Sequence, residues 1–325
     1  MNYSILHTSV SRLRYTLSAL FMMLLTFVSL FSTASPKAAQ PIEGRWNITI
    51  DMDGTKLPSW LEVRHSGYKT LIGQFTATSG SARPISVVHF SNNEFSFAIP
   101  PQWESGTADL QVKGTVNGDK ITGTLINSDG KSYQWTGERA PSLRRTGKIS
   151  WGKPQKLIQK NSLDGWKTSG GENQWVVKDG ILINQKSGAN LISESTFEDF
   201  KLHLEFRVPE GSNSGVYLRG RYEVQVTDSK GMEPALDQLG AIYGFLMPTD
   251  MAAKSAGEWQ SMDVTLIGRL VTVVLNGKTI ICNAEIPGVT GGAIDSHEGN
   301  PGPLMIQGDH GAVDYRNITI TPAKK

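Results

Sequence analysis

From about residue 42 onward, apolar and polar residues alternate in short runs, and almost none of the chain shows helical spacing. Alternation with a period of two is the pattern of half-buried strands. In the first block, residues 42–139, it predicts strands at 45–52, 60–66, 70–78, 85–90, 94–100, 108–116, 120–126 and 132–139. Asn117-Gly118 stands between two of these runs, where a two-residue hairpin turn takes positive φ angles, and 127–130 reads the same way. Eight short strands in about a hundred residues predict a small antiparallel up-and-down barrel. Residues 140–156 break the alternation with Pro, Gly and the basic residues Arg144, Arg145, Lys148 and Lys153, and read as a solvated linker.

The second block, residues 157–323, alternates again. Strands are predicted at 175–177, 181–183, 200–208, 216–219, 222–226, 262–267, 270–275, 278–282, 304–307 and 315–321, with Asp179-Gly180 and Asn276-Gly277 as hairpin turns. Strands without crossover helices call for two packed sheets. The fold class is therefore all-β, a small barrel followed by a sandwich. Alternation also assigns faces. Leu202, Leu204 and Phe206 point one way, and His203, Glu205 and Arg207 the other. Val216 and Leu218 oppose Tyr217 and Arg219; Tyr222, Val224 and Val226 oppose Glu223 and Gln225; Leu304 and Ile306 oppose Met305 and Gln307. If these strands are neighbours, one face gathers Glu205, Arg207, Tyr217, Arg219, Glu223, Gln225 and Gln307. Such a mixture suits a polyhydroxylated ligand, though alternation alone favours an ordinary solvated face with cross-strand ion pairs.

Composition narrows the picture. The 325 residues hold 32 Lys plus Arg against 30 Asp plus Glu. Residues 1–34 contain Arg12 and Arg14 and no acid, so the remainder is neutral, which speaks against a phosphate-tracking nucleic-acid binder. The apolar run 17–31, followed by Ser32-Thr33-Ala34, reads as a secretory signal cleaved after Ala34. A run of that length is short of the ~20 residues of a spanning helix, so no integral membrane span is expected after cleavage, and the mature chain is expected in a periplasm or outside the cell. The single cysteine, Cys282, excludes an intramolecular disulfide and is expected to be buried packing. No dinucleotide fingerprint occurs, so no nicotinamide cofactor is expected. His203, Glu205, His297 and His310 have no recognised ligand spacing, and a divalent metal acting as Lewis acid stays an open option.

Several motifs in order go beyond pattern. They are Leu163-Asp164-Gly165-Trp166, the run 213–220 (NSGVYLRG), the run 222–226 (YEVQV) with Asp228-Ser229, the run 240–244 (GAIYG), Gly257-Glu258-Trp259, Gly302-Pro303-Leu304, and Gln307 with Asp309-His310-Gly311. This set resembles the DUF1080 family, the 3-keto-disaccharide hydrolase domain, over the whole second block. The resemblance implies a concanavalin A-like jelly-roll sandwich and activity on glycosides whose glucose unit is oxidised at C3. It implies a carbohydrate substrate, and an upstream glucoside 3-dehydrogenase in another protein to supply it. The first block lies outside that resemblance; its Gly44-Arg45-Trp46 is similar to the start of lipocalin- and avidin-like barrels.

A C3 ketone acidifies the hydrogen at C2. A base that removes it gives an enolate, the C1 oxygen leaves, and water adds back. The expected base is Glu223. Arg219 would polarise the ketone or pair with Glu223, and His310 would protonate the leaving group. Glu205, Tyr217, Gln225 and Gln307 would bind sugar, and Tyr243 would stack on a ring or pack in the core. The strand 223–228 (EVQVTD) lacks the paired acids of an ordinary glucanase strand, with Glu205 left as a candidate partner. Two other functions stay open, a non-catalytic carbohydrate-binding module and a two-carboxylate glycoside hydrolase. Trp46, Trp60, Trp103 and Trp135 of the first block serve either barrel packing or a sugar platform.

Overall fold

The computed structural model describes residues 39–324, and the predicted export signal lies outside the described residues. Among the described residues no helix is long and apolar enough to cross a membrane. The described residues from 41 onward form one compact unit. The fold is all-β, as the alternation predicts.

The first eight strands are β1 (Gly44–Met52), β2 (Thr55–Ser66), β3 (Thr70–Thr76), β4 (Arg83–Ser91), β5 (Glu94–Ile99), β6 (Leu110–Asn117), β7 (Lys120–Ile126) and β8 (Ser132–Arg139). They form a closed antiparallel barrel, sealed by β1 against β8 with Trp46 opposite Arg139. Closure leaves no sheet edge unpaired. The inward positions, among them Trp46, Ile48, Phe75, Phe97 and Trp135, fill the interior. Gly114 and Gly123 face each other across β6 and β7 because the Trp135 ring occupies the space their Cβ atoms would need. The β6–β7 turn differs from expectation by one residue. Asn117 stays in the strand and Gly118, at φ 61°, is the first of the two turn residues. Asp179-Gly180 (52° and 80°) and Asn276-Gly277 (51° and 82°) do share positive φ as expected.

The remaining strands are β9 (Gln155–Lys156), β10 (Trp166–Ser169), β11 (Trp175–Lys178), β12 (Ile181–Asn184), β13 (Asn190–Phe197), β14 (Phe200–Arg207), β15 (Asn213–Leu218), β16 (Tyr222–Thr227), β17 (Gln260–Ile267), β18 (Leu270–Leu275), β19 (Lys278–Glu285), β20 (Gly302–Ile306) and β21 (Val313–Pro322). One sheet has the order β10-β13-β20-β15-β16. The other runs β11-β12-β21-β14-β17-β18-β19, with β9 beside β21. Leu202, Leu204 and Phe206 of β14 meet Val216, Leu218, Val224, Val226 and Ile306 in the core between the sheets. This is the expected two-sheet sandwich, with the expected faces inward.

Two expectations change here, the first in part. Residues 140–156 are largely exposed, Arg144, Lys148 and Lys153 included, but the segment is tied down at points: Leu143 is buried, Arg145 pairs with Asp199 at 2.7 Å, and the Pro141 carbonyl accepts from Arg269. Cys282 is exposed, because β19 is the edge strand of its sheet. The barrel seats directly on the sandwich. Trp60, fully buried, meets Phe245 edge-on with ring centroids 5.2 Å apart, and Gly288 leaves room for its indole. Gly244 and Gly291 have no space for a Cβ against the barrel backbone at Ser81 and Gly80. Glycine is what such close approach requires.

Candidate functional site

On the outer face of the five-stranded sheet lies a pocket of about 510 Å³, within the range that holds small-molecule ligands. Its floor is the side of β15, β16 and β20 opposite the core: Tyr217, Glu223, Gln225 and Met305, with Gln307 just beyond. Asn190, Asn213, Tyr243, Asp309 and His310 form its walls, and Ser79, Gly80 and Trp103 of the barrel close one side. A larger, more open groove of 850 Å³ runs over the barrel wall, but its titratable residues His89, Glu94 and Lys113 are all exposed. Of the two, the smaller pocket is the one with buried titratable groups, Glu223 and Tyr217.

Glu223 projects from β16 and is 4% exposed. Its carboxylate lies over Gly215 of β15, where a Cβ would collide with it. The Tyr217 hydroxyl is 2.9 Å from Glu223 Oε2 and 3.0 Å from the Gly291 carbonyl oxygen. One O–H serves one acceptor at a time. It donates to Glu223 when the carboxylate is ionised, and is free to turn to Gly291 when Glu223 carries a proton of its own. Burial pushes the Glu223 carboxyl up to about 8, against the opposing pull of the Tyr217 bond and of His310. Burial, with the Glu223 charge behind it, also holds the Tyr217 hydroxyl well above its ordinary range.

His310 Nδ1 lies 2.6 Å from Asp309 Oδ1. That bond raises the imidazole above its usual value and lowers the Asp309 carboxyl, and the Glu223 charge raises His310 further. With Nδ1 engaged, Nε2 is the nitrogen left for proton transfer. Glu223 and His310 each favour the other's charged form. Around them, Gln225 Nε2 donates to Asn213 Oδ1 at 3.1 Å, and the buried Gln307 Oε1 has no hydrogen-bond partner among the described residues. Backbone bonds fix these side chains: Gln307 N donates to the Gly215 carbonyl at 2.8 Å and Tyr243 N to the Glu223 carbonyl at 3.0 Å.

Of the residues expected at the site, Glu223, His310, Tyr217, Gln225, Gln307 and Tyr243 do line this pocket. Two do not. Arg219 follows the last residue of β15 at φ 53°, which turns its side chain away from the sheet's outer face. Its guanidinium donates to the Gly268 carbonyl at 2.9 Å and to Tyr222 Oη at 3.0 Å; it neither pairs with Glu223 nor reaches the pocket. Glu205 sits on β14, in the other sheet, where Arg316 and Asn317 hold it at 2.7 and 2.6 Å. It is therefore no second carboxylate for Glu223. Glu298, in the loop before β20, is fully buried and accepts from Tyr222 and Arg269. Sequence reasoning missed Asn190, Asn213 and Asp309 as pocket residues, although Asn213 and Asp309 lie in the motifs. It left Trp103 undecided. No three or more His, Cys, Asp or Glu side chains converge as a metal cluster among the described residues.

Amides, hydroxyls and aromatic rings around a buried acid are what a sugar requires, and the chain falls in the class of glycosyl hydrolase-like, carbohydrate-active proteins. The family of the 3-keto-alpha-glucoside-1,2-lyase-like domain matches residues 153–321, just over half of the chain, and the chain belongs to that family. No curated protein matches it. Among solved structures, a proposed glycosyl hydrolase of Parabacteroides distasonis is 26% identical, with 55% of this chain and 92% of that one covered and a TM-score of 0.45. A second from that organism is 19% identical, with 51% and 92% covered and a TM-score of 0.44. The carbohydrate-binding module CBM66 of Bacillus subtilis is 13% identical, with 48% and 94% covered and a TM-score of 0.31.

Proposed function

We propose that this protein is an exported enzyme that cleaves the glycosidic bond of 3-keto-glucosides, including 3-keto-disaccharides, by removing the C2 proton and expelling the C1 oxygen. The observation that carries this reading is the buried Glu223, at about 8, facing the His310–Asp309 pair across a pocket lined with amides. A carboxylate with a raised pKa is a stronger base than an ordinary one, and the C2 hydrogen beside a ketone is a weak acid that needs one.

In the working form Glu223 is ionised and His310 is protonated. Glu223 takes the C2 proton, and the C2–H electrons pass into the C2–C3 bond as the ketone becomes an enolate. The Gln225, Gln307, Asn190 and Asn213 side chains supply hydrogen bonds to the developing oxyanion and to the remaining hydroxyls. The enolate then collapses, the C1–O bond breaks, and the aglycone oxygen takes the proton from His310 Nε2. Water adding across C1 and C2 completes a net hydrolysis. The ketone has to be made by an upstream glucoside 3-dehydrogenase.

The test is proton NMR in D₂O on the purified protein with a methyl 3-keto-glucoside and with its unoxidised parent, with and without EDTA. Release from the keto substrate alone, with deuterium appearing at C2, is expected. Cleavage of the parent would replace this reading with a two-carboxylate hydrolase. Saturable shift changes without turnover would leave a binding module.

A further inference from the structure

Of the barrel's four tryptophans, one is not explained by packing. Trp46, Trp60 and Trp135 are buried, but Trp103, in the connection between β5 and β6, is 69% exposed and lines the pocket that holds Glu223. Single exposed apolar residues are ordinary on a surface. This one is held in place. Glu104 accepts the backbone N–H of Gln102 at 2.8 Å and of Trp103 at 3.2 Å. Its carboxylate is gripped at both oxygens by Arg83, which is 7% exposed and donates also to the Pro100 carbonyl. The Gln102 amide bonds Ser81 in both directions, at 3.0 and 2.8 Å. At Gly80 a Cβ would stand 2.6 Å from the indole Cδ1, so glycine leaves the ring its place. Gly80 is in turn pressed against Gly291 of the sandwich, beside Tyr217.

A partly buried ion pair, an amide clamp and a glycine contact thus fix a flat apolar ring in the wall of a polar pocket. Such fixing costs conformational entropy, which is recovered when a ligand covers the ring without further ordering. The C–H faces of a pyranose are apolar and flat enough to cover an indole. The polar floor groups all belong to the sandwich, whereas Trp103 stands on the barrel side. Resting on the function proposed above, we propose that Trp103 is a stacking platform for the second, leaving-group sugar ring of a disaccharide. The barrel thereby sets a preference for 3-keto-disaccharides over glycosides with small aglycones.

The experiment compares Trp103→Ala and Trp103→Phe in the full chain, on a 3-keto-disaccharide of two glucose rings and on methyl 3-keto-glucoside. Covering an indole face removes enough apolar area that the alanine variant should lose on the order of tenfold more kcat/KM on the disaccharide than on the methyl glycoside, chiefly through KM. Phenylalanine should restore most of it. Equal losses on both substrates, or no loss on either, would overturn the platform, and the phenylalanine variant keeps the test alive if the alanine variant folds poorly. Fluorescence titration with the unoxidised disaccharide separates this proposal from the chemistry it rests on. Saturable quenching in the wild type that disappears in Trp103→Ala would preserve the platform even if no keto substrate is turned over. Quenching unchanged by the substitution would overturn it.

Discussion

Burial pushes the Glu223 carboxyl, 4% exposed, up to about 8, so its proton bears on stability and, in the proposed reaction, on turnover. Between the ordinary carboxyl value of 4.5 and about 8, folded Glu223 holds a proton that the unfolded chain has released. The folded state therefore loses stability as pH rises through that window, by up to about 5 kcal/mol in all. Urea denaturation at pH 5 and pH 8.5 should show a larger loss for the wild type than for Glu223→Gln, whose neutral amide does not titrate. Equal losses would contradict the raised value. The same substitution should abolish turnover, and the bell-shaped profile of kcat/KM should have no limb near 4.5. The residues of this centre were largely legible in the sequence, because period-two alternation fixes which side chains share a face once a strand exists. Arg219 escaped that logic because alternation ends with the strand, and a left-handed φ one residue later reverses the direction of the side chain.

At the scale of elements, what misled was partnership. Glu205 was assigned to the correct face of β14, but β14 pairs with β17 and β21 and not with β15 or β16. Local pattern says which residues alternate and leaves open which strands become neighbours. The turn after β15 shows what such partnership builds. Arg219 lies 5.0 Å from the Tyr222 ring, Tyr222 Oη donates to Glu298 Oε1 at 2.6 Å, and Arg269 holds both Glu298 oxygens at 3.0 and 2.7 Å. Glu298 is the fully buried anion of this group, so Glu298→Ala leaves cationic side chains without their counter-charge in the interior. The expected cost is about 3–5 kcal/mol in chemical denaturation. A loss under about 1 kcal/mol would mean that water replaces the carboxylate freely.

At the scale of the whole molecule, barrel and sandwich share one interface. Trp60 is buried against Phe245 and Val289, Arg45 of the barrel bonds Glu285 of β19, and Thr49 meets Ser296 at 2.7 Å. Burial of a tryptophan across this junction couples the two parts, since exposing it costs several times the thermal energy, about 1.5–3 kcal/mol for a large apolar side chain. Scanning calorimetry of the full chain should give one cooperative transition, and two well-separated transitions would show that the parts fold independently.

The sequence by itself determined the all-β class, the eight barrel strands, the two-sheet character of the second block, and most of the groups around Glu223. These follow from period-two burial, turn residues and motif order, which are local properties of the chain. Only the tertiary structure decided that residues 140–156 are tied down at points, that Glu205 belongs to the other sheet, that Arg219 and Glu298 are interior, and that Trp103 reaches the pocket. Each of those depends on which distant segments come together, and long-range pairing is set by the packing of the whole core and not by any window of residues.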